Sequence, residues 1–245
     1  MPHFYVNPKN IKDNIFTIEE EQFHYLANVR RFSSGDEIKI FDGLGNSFLA
    51  RIDNVTKERI TGTVISAKTF QNPRVKISLY TAIPKGDRFE WLIEKASEIG
   101  IYRLIPVIYS RSVVSEISNS KFERYQKISL SASSQCSRAD IMPVEKIETF
   151  ESILKFSNVN MPQNTLNIMP WECEDGLSIS KILSGVDEKI TYINIFIGPE
   201  GGFEQKEINA ALKCGFKTVT LGKNILRVET AAIVASSLAV SYVEN

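Results

Sequence analysis

Hydrophobic and polar positions change rhythm once along the chain, near residue 73. Before that point apolar and polar residues alternate in short runs. Asp36–Phe41, Ser47–Val55 and Ile60–Ala67 each read as a half-buried strand, with a turn at Gly43-Leu44-Gly45-Asn46 between the first two. Five or six such segments in about seventy residues predict a small β-barrel, interrupted by one helix over roughly Glu19–Val29. Gln71-Asn72-Pro73 reads as a linker, because proline disfavours regular structure on its N-terminal side.

After Pro73 strands alternate with helices. Val75–Ile83, Leu104–Tyr109, Thr165–Met169, Tyr192–Ile197 and Val219–Leu221 are apolar and rich in β-branched residues. Between them lie helical patterns over Asp87–Ile99, Phe122–Ser134, Leu177–Leu183 and Glu204–Cys214, the last ended by Gly215. A final helix runs from Thr230 onward. Alternation of this kind predicts an α/β domain over residues 73–245, built on a mostly parallel sheet, after a first domain over residues 1–72.

Composition narrows the class. With 43% hydrophobic and 24% charged residues the chain reads as globular rather than disordered. The most apolar long stretch, Ala231–Val243, is too short to span a bilayer and reads as a buried helix, so no membrane partner is expected. The N-terminus has no export pattern. Cys136, Cys173 and Cys214 share no metal-ligand spacing and read as reduced, buried thiols of a cytoplasmic protein. His3 and His24 are too few for a metal cluster, and no metal is expected. Net charge is zero, yet residues 1–140 carry twenty basic against sixteen acidic residues and 141–245 nine against thirteen. Contact with nucleic acid phosphates would therefore fall to the first two segments.

The densest candidate chemistry lies near the C-terminus. Ile197-Gly198-Pro199-Glu200-Gly201-Gly202 follows a buried strand, and Leu221-Gly222 follows another, taken as its neighbour. The spacing fits neither a dinucleotide fingerprint nor a phosphate loop. Two adjacent loops of free main-chain groups suit a flat heteroaromatic such as adenine, with Leu221, Ile225 and Leu226 as apolar walls. No Mg²⁺ ligand set accompanies them, so a nucleoside without a triphosphate is favoured.

These residues, with Leu226-Arg227-Val228-Glu229-Thr230-Ala231, resemble the signature of the bacterial small-subunit ribosomal RNA methyltransferase E family, within the knotted SPOUT class. Phe41-Asp42-Gly43, Lys85-Gly86-Asp87-Arg88, Glu94–Gly100, Ser110-Arg111-Ser112, Gln135 and Arg138 extend the likeness along the chain. Ser134 departs from it, standing where the family usually has a glutamate. The resemblance implies a PUA-like RNA-binding barrel, a SPOUT-type domain with a C-terminal trefoil knot, and a homodimer. It also implies S-adenosyl-L-methionine as cofactor and methylation of N3 of one uridine near the decoding centre of 16S ribosomal RNA. Rival readings are a same-fold enzyme acting on another RNA, for instance at a ribose 2′-hydroxyl, and a non-catalytic assembly factor.

The cofactor residues expected are Ile197 to Gly202, Leu221, Gly222, Ile225 to Arg227, Thr230 and Ala231. Uracil N3 is a poor nucleophile until it loses its proton, and a nearby cation favours the anion. Arg227 is the first candidate for that role. Glu229 and Glu200 are candidate proton acceptors, although Glu229 would equally suit the start of the last helix. Arg30, Arg31, Lys85, Arg88, Arg111 and Arg138 are candidate RNA ligands, Arg88 with an alternative as a surface partner of Glu94 or Glu98. Phe4, Tyr5 and Phe32 are candidates for stacking on unpaired bases, with core or surface packing the safer reading for Phe32.

Overall fold

The computed structural model describes residues 3–19, 23, 26, 30–71, 73–160 and 164–244. The helix expected over Glu19–Val29 lies largely outside the described residues. Two compact units emerge: Met1–Asn72 with Leu130–Ile141, and Pro73–Ser129 with Met142–Asn245. The first unit thus takes in a segment that a single cut at residue 72 would leave in the second.

The first unit is a curled, six-stranded half-barrel: β1 (His3–Tyr5), β2 (Ile11–Lys12), β3 (Ile15–Glu19), β4 (Glu37–Phe41), β5 (Asn46–Val55) and β6 (Arg59–Thr69), in spatial order β1-β4-β5-β6-β3-β2. Only β1 and β4 pair in parallel; the other neighbours are antiparallel. Alternation decides the inner face: in β4, Ile38 and Ile40 are buried while Glu37 and Lys39 are exposed. Two register shifts in the β5–β6 pair bend the ribbon over a core containing Phe16, Ile52 and Ile60. Phe4 belongs to this core, with Phe32 edge-on at 5.9 Å, so Phe4 is packed rather than offered to bases.

Leu130–Ile141 joins the half-barrel through the turn after β4. Gly45 N–H donates to the Ala139 carbonyl (3.1 Å) and Ile141 N–H to the Gly43 carbonyl (3.1 Å). Asp42 shapes that turn by accepting from the Leu44 and Asn46 amides at 2.8 and 3.0 Å. Gly43 has φ +75°, and a Cβ there would sit 2.7 Å from Ile141 Cδ1, so a side chain would strain the backbone and push Ile141 aside. Ser134, where the family likeness breaks, donates its hydroxyl to the Leu130 carbonyl (3.0 Å).

The second unit carries a parallel sheet of β7 (Lys76–Thr81), β8 (Arg103–Ile108), β9 (Glu148–Thr149), β10 (Thr165–Pro170), β11 (Tyr192–Ile197) and β12 (Lys217–Val219). Their order is β12-β10-β11-β7-β8-β9, and every neighbouring pair is parallel. The connecting helices are α1 (Arg88–Ile99), α2 (Asn119–Gln135), α3 (Phe150–Asn160), α4 (Ile179–Ser184), α5 (Gln205–Lys213) and α6 (Val228–Glu244). One core joins Leu79, Leu92 and Ala235 on the face of α1 and α6, and another joins Tyr80, Phe196, Phe150 and Ile208 on the opposite face. Strands covered on both sides are mostly apolar, with Ser78, Asn167 and Asn194 as buried polar exceptions, which is why their pattern is readable.

Four points of the sequence reading need correction. The last strand ends at Val219, which releases Thr220 and Leu221 into the following loop. The sequence pattern does not show β9 or α3, because β9 has only two residues and, among its described side chains, α3 buries Phe150 and Ile153. The apolar run Ala231–Val243 is not wholly buried. Ala232, Ala235 and Ala239 form the packed face of α6, whereas Leu238 and Tyr242 are exposed. Cys173 is exposed too, while Cys136 and Cys214 are half-buried.

Candidate functional site

Three loops leave the C-terminal ends of β10, β11 and β12, and together they wall a cleft of about 310 Å³. Ligand sites of open α/β sheets occupy this edge. β11 and β12 are not hydrogen-bonded neighbours, contrary to the simplest reading of the two glycine loops; β10 lies between them. Pro170, Trp171 and Glu172 therefore form part of the wall, and the sequence reading missed them. The missing information was strand order, which nothing local to Pro170-Trp171-Glu172 encodes.

The loop after β11 turns tightly, with Gly202 N–H donating to the Pro199 carbonyl (2.9 Å). Gly202 has φ +68°, and a Cβ on it would overlap the Glu172 carboxylate. A Cβ on Gly198 would meet the Phe203 ring at 2.9 Å. Both glycines thus answer to close approach as well as to chain direction. The loop after β12 is held by Thr220, whose hydroxyl donates to the Gly222 carbonyl (3.1 Å) and accepts from the Gly222 amide (3.2 Å).

Of the expected cofactor residues, Ile197, Gly198, Pro199, Glu200 and Gly202 line the cleft, as do Leu221, Gly222, Ile225, Leu226, Arg227 and Ala231. Gly201 and Thr230 do not. The Gly201 carbonyl instead accepts from Arg111 Nη1 (2.9 Å). Lys223 and Asn224 add polar groups that the sequence reading left out.

Four charged side chains line the cleft: Glu172, Glu200, Lys223 and Arg227. Glu200 Oε1 accepts from the Lys85 backbone amide (3.1 Å), so Lys85 reaches the site through its main chain. Arg227 is exposed, and its guanidinium has no ion-pair partner among the described residues. Glu229 is outside the cleft lining: its carboxylate is nearly buried and lies 3.9 Å from Arg88 Nε. Arg88 therefore pairs with neither Glu94 nor Glu98, both of which hold Lys95 at 2.8 Å.

The remaining basic candidates separate by environment. Arg30 and Arg31 are exposed on the first unit. Arg138, in the same unit, is nearly buried and makes a two-pronged pair with Asp140 at 2.9 and 2.6 Å. Such a fork satisfies much of a guanidinium and fixes its plane. Among the described residues no group of three or more metal-ligating side chains occurs, and no helix is long and apolar enough to cross a membrane.

This geometry can be set beside known proteins. An RNA methyltransferase domain model matches residues 71–240, and an RNA methyltransferase PUA domain model matches residues 18–65. The chain belongs to the ribosomal RNA small subunit methyltransferase E family. It is 31% identical over 236 residues to the Bacillus subtilis (strain 168) member, covering 93% of this chain and 90% of that one. It is 32% identical to the Rickettsia conorii member, covering 94% and 91%. A crystal structure of the methyltransferase E of Neisseria gonorrhoeae, bound to S-adenosyl methionine, superposes with a TM-score of 0.83 at 30% identity over 97% of this chain and 95% of that one. The half-barrel and the α/β unit of this chain are thus those of the methyltransferase E fold.

Proposed function

We propose that this chain transfers the methyl group of S-adenosylmethionine to N3 of one uridine of 16S ribosomal RNA near the decoding centre. The observation that carries the reading is the meeting of three strand-end loops in one glycine-lined cleft on a chain of the methyltransferase E family. The residues present fit the cofactor. Main-chain groups around Gly198, Gly202 and Gly222 offer hydrogen bonds to an adenine edge, Leu221 and Leu226 offer apolar faces, and Glu172 offers a carboxylate to polar groups of the adenosyl moiety.

When bound, the cofactor supplies an electrophilic methyl group on a sulfonium. Alignment of the acceptor is then the protein's main contribution. Arg227, exposed in the cleft wall, would offer a fixed positive charge that favours the deprotonated imide. Glu200, held by the Lys85 amide, is the cleft carboxylate suited to take the N3 proton. Glu229, paired with Arg88, instead braces the start of α6.

The substrate is large and anionic, so we assign docking to the half-barrel, with Arg30 and Arg31 as phosphate ligands. The proposed working form is a cytoplasmic homodimer. Ile225, 87% exposed at the edge of the cleft, is an apolar side chain that a second subunit would cover. The path from the edge strand β12 back to α6, which packs on the central strands β7 and β11, supports a knotted C-terminus.

Mass mapping of ribosomal RNA from a deletion strain tests the reaction. A uridine lacking its N3 methyl is expected; loss of a ribose methyl would assign a different acceptor. Calorimetry with S-adenosylhomocysteine tests the cleft, and absence of binding would favour a non-catalytic assembly factor.

A further inference from the structure

The turn that follows β8 is fastened to the loop that follows β11, although β7 lies between those strands. Ser110 N–H donates to Glu207 Oε1 (2.8 Å), and the other oxygen of that carboxylate accepts from the Glu204 amide (2.9 Å). Glu207 is only 6% exposed, so both of its oxygens are spent on backbone N–H groups inside the protein. The Tyr109 ring meets Phe203 edge-on at 5.2 Å, and Phe203 is the ring packed beneath Gly198. From the same turn, Arg111 Nη1 donates to the Gly201 carbonyl (2.9 Å) and Arg111 Nε lies 4.0 Å from Glu204.

We infer that Glu207 and Arg111 are positioning residues for the cofactor loop, a brace reaching it from the turn after β8. The inference rests on the reading of the cleft as the S-adenosylmethionine site. Its physical content is an order of dependence. The Pro199–Gly202 turn has one internal hydrogen bond, and a single such bond does not hold a glycine-rich segment against its backbone freedom. Glu207 fixes where α5 begins, and with it Glu204. Arg111 fixes the direction of the Gly201 carbonyl, turning it away from the ligand. What remains open to the cofactor is the opposite, cleft-lining side of the loop.

Arg111 was a candidate RNA ligand by sequence, and the two roles separate cleanly in experiment. Binding of S-adenosylmethionine is measured by calorimetry on the full chain, alongside thermal unfolding and the KM values for cofactor and RNA. Wild-type binding must be seen first; its absence would sink the cofactor reading itself and not the brace.

Given wild-type binding, Arg111→Ala should weaken cofactor affinity about tenfold, the scale of one charge-assisted hydrogen bond, with the KM for RNA unchanged within about twofold. Glu207→Gln cannot accept from both amides and should act in the same direction. The double variant should lose less than the two losses combined, because both act on one loop conformation. A higher KM for RNA with unchanged cofactor affinity in Arg111→Ala would make that arginine an RNA ligand and overturn the inference. If Glu207→Gln only lowers the unfolding temperature, its role is structural and the brace is refuted. If it fails to fold, Arg111→Ala alone decides.

Discussion

The guanidinium of Arg88 lies 3.9 Å from the carboxylate of Glu229, tying the first turn of α1 to the first turn of α6. Glu229 also sits where a helix N-terminus favours negative charge. Its Oε2 is buried without a partner among the described residues, so removal of Arg88 would leave a carboxylate poorly compensated. Arg88 is half-exposed, which keeps the pair modest: Arg88→Ala should cost about 1 kcal/mol of stability by denaturant unfolding. Glu229→Gln should keep most of its methylation activity. A folded Glu229→Gln protein without activity would restore Glu229 as the proton acceptor.

Arg227 is expected to behave differently. Its side chain lines the cleft, is exposed, and is not needed to hold any described neighbour in place. Arg227→Ala should fold normally, bind S-adenosylmethionine within a few-fold of wild type, and lose about 10² to 10³ in kcat. Full single-turnover activity in that variant would remove Arg227 from the chemistry.

Gly202 answers to two constraints at once, its φ of +68° and the Glu172 carboxylate in the space a Cβ would occupy. Gly202→Ala should bind S-adenosylmethionine at least about tenfold more weakly, from backbone strain of about 1 kcal/mol and displacement of Glu172. Adding Glu172→Ala should relieve the overlap and leave only the strain, which shows as recovered thermal stability. Wild-type affinity in Gly202→Ala would mean that the turn tolerates a side chain.

Burial lowers the His3 pKa from its ordinary value of 6.5, beside a Ser47 hydroxyl 3.0 Å from Nε2. The unfolded chain then binds the proton more readily than the folded one, so acid favours unfolding. The stabilisation is complete above pH 6.5 and is lost as pH falls toward the depressed folded value. Amides of β1 and β4 should be less protected at about pH 5.5 than at about pH 7.5, once intrinsic exchange rates are divided out, and His3→Gln should flatten that difference. An equal pH response in the variant would assign the effect to other groups.

Arg30 and Arg31 are exposed, so as phosphate ligands they would release counterions on binding. Log affinity for RNA should fall steeply with log salt, and replacing both arginines by alanine should reduce the slope by about one for each arginine removed. An unchanged slope would move the docking surface elsewhere.

Most of the second unit was readable because its strands are buried on both faces and its long helices are amphipathic. Tyr192–Ile197 is apolar but for Asn194, and α1 carries Phe89, Leu92, Ile93 and Ala96 on one side. The glycine loops were readable for the same local reason, since Gly202 needs its conformation whatever surrounds it. What escaped was long-range. Strand order placed Trp171 and Glu172 in the cleft, and only the folded chain brings Glu229 to Arg88 and Arg111 to Gly201. The sequence offers Arg138 as an RNA ligand by charge and by likeness, but only the folded chain shows its pairing with Asp140.

The segment Leu130–Ile141, which packs on the Asp42–Asn46 turn, makes the N-terminal fold discontinuous in sequence. A growing polypeptide must therefore deliver β7, α1 and β8 before the half-barrel receives its last piece. Excision after residue 72 would leave Gly43 and Gly45 without the neighbours that their shape accommodates. An isolated RNA-binding module from this chain would need that segment grafted back.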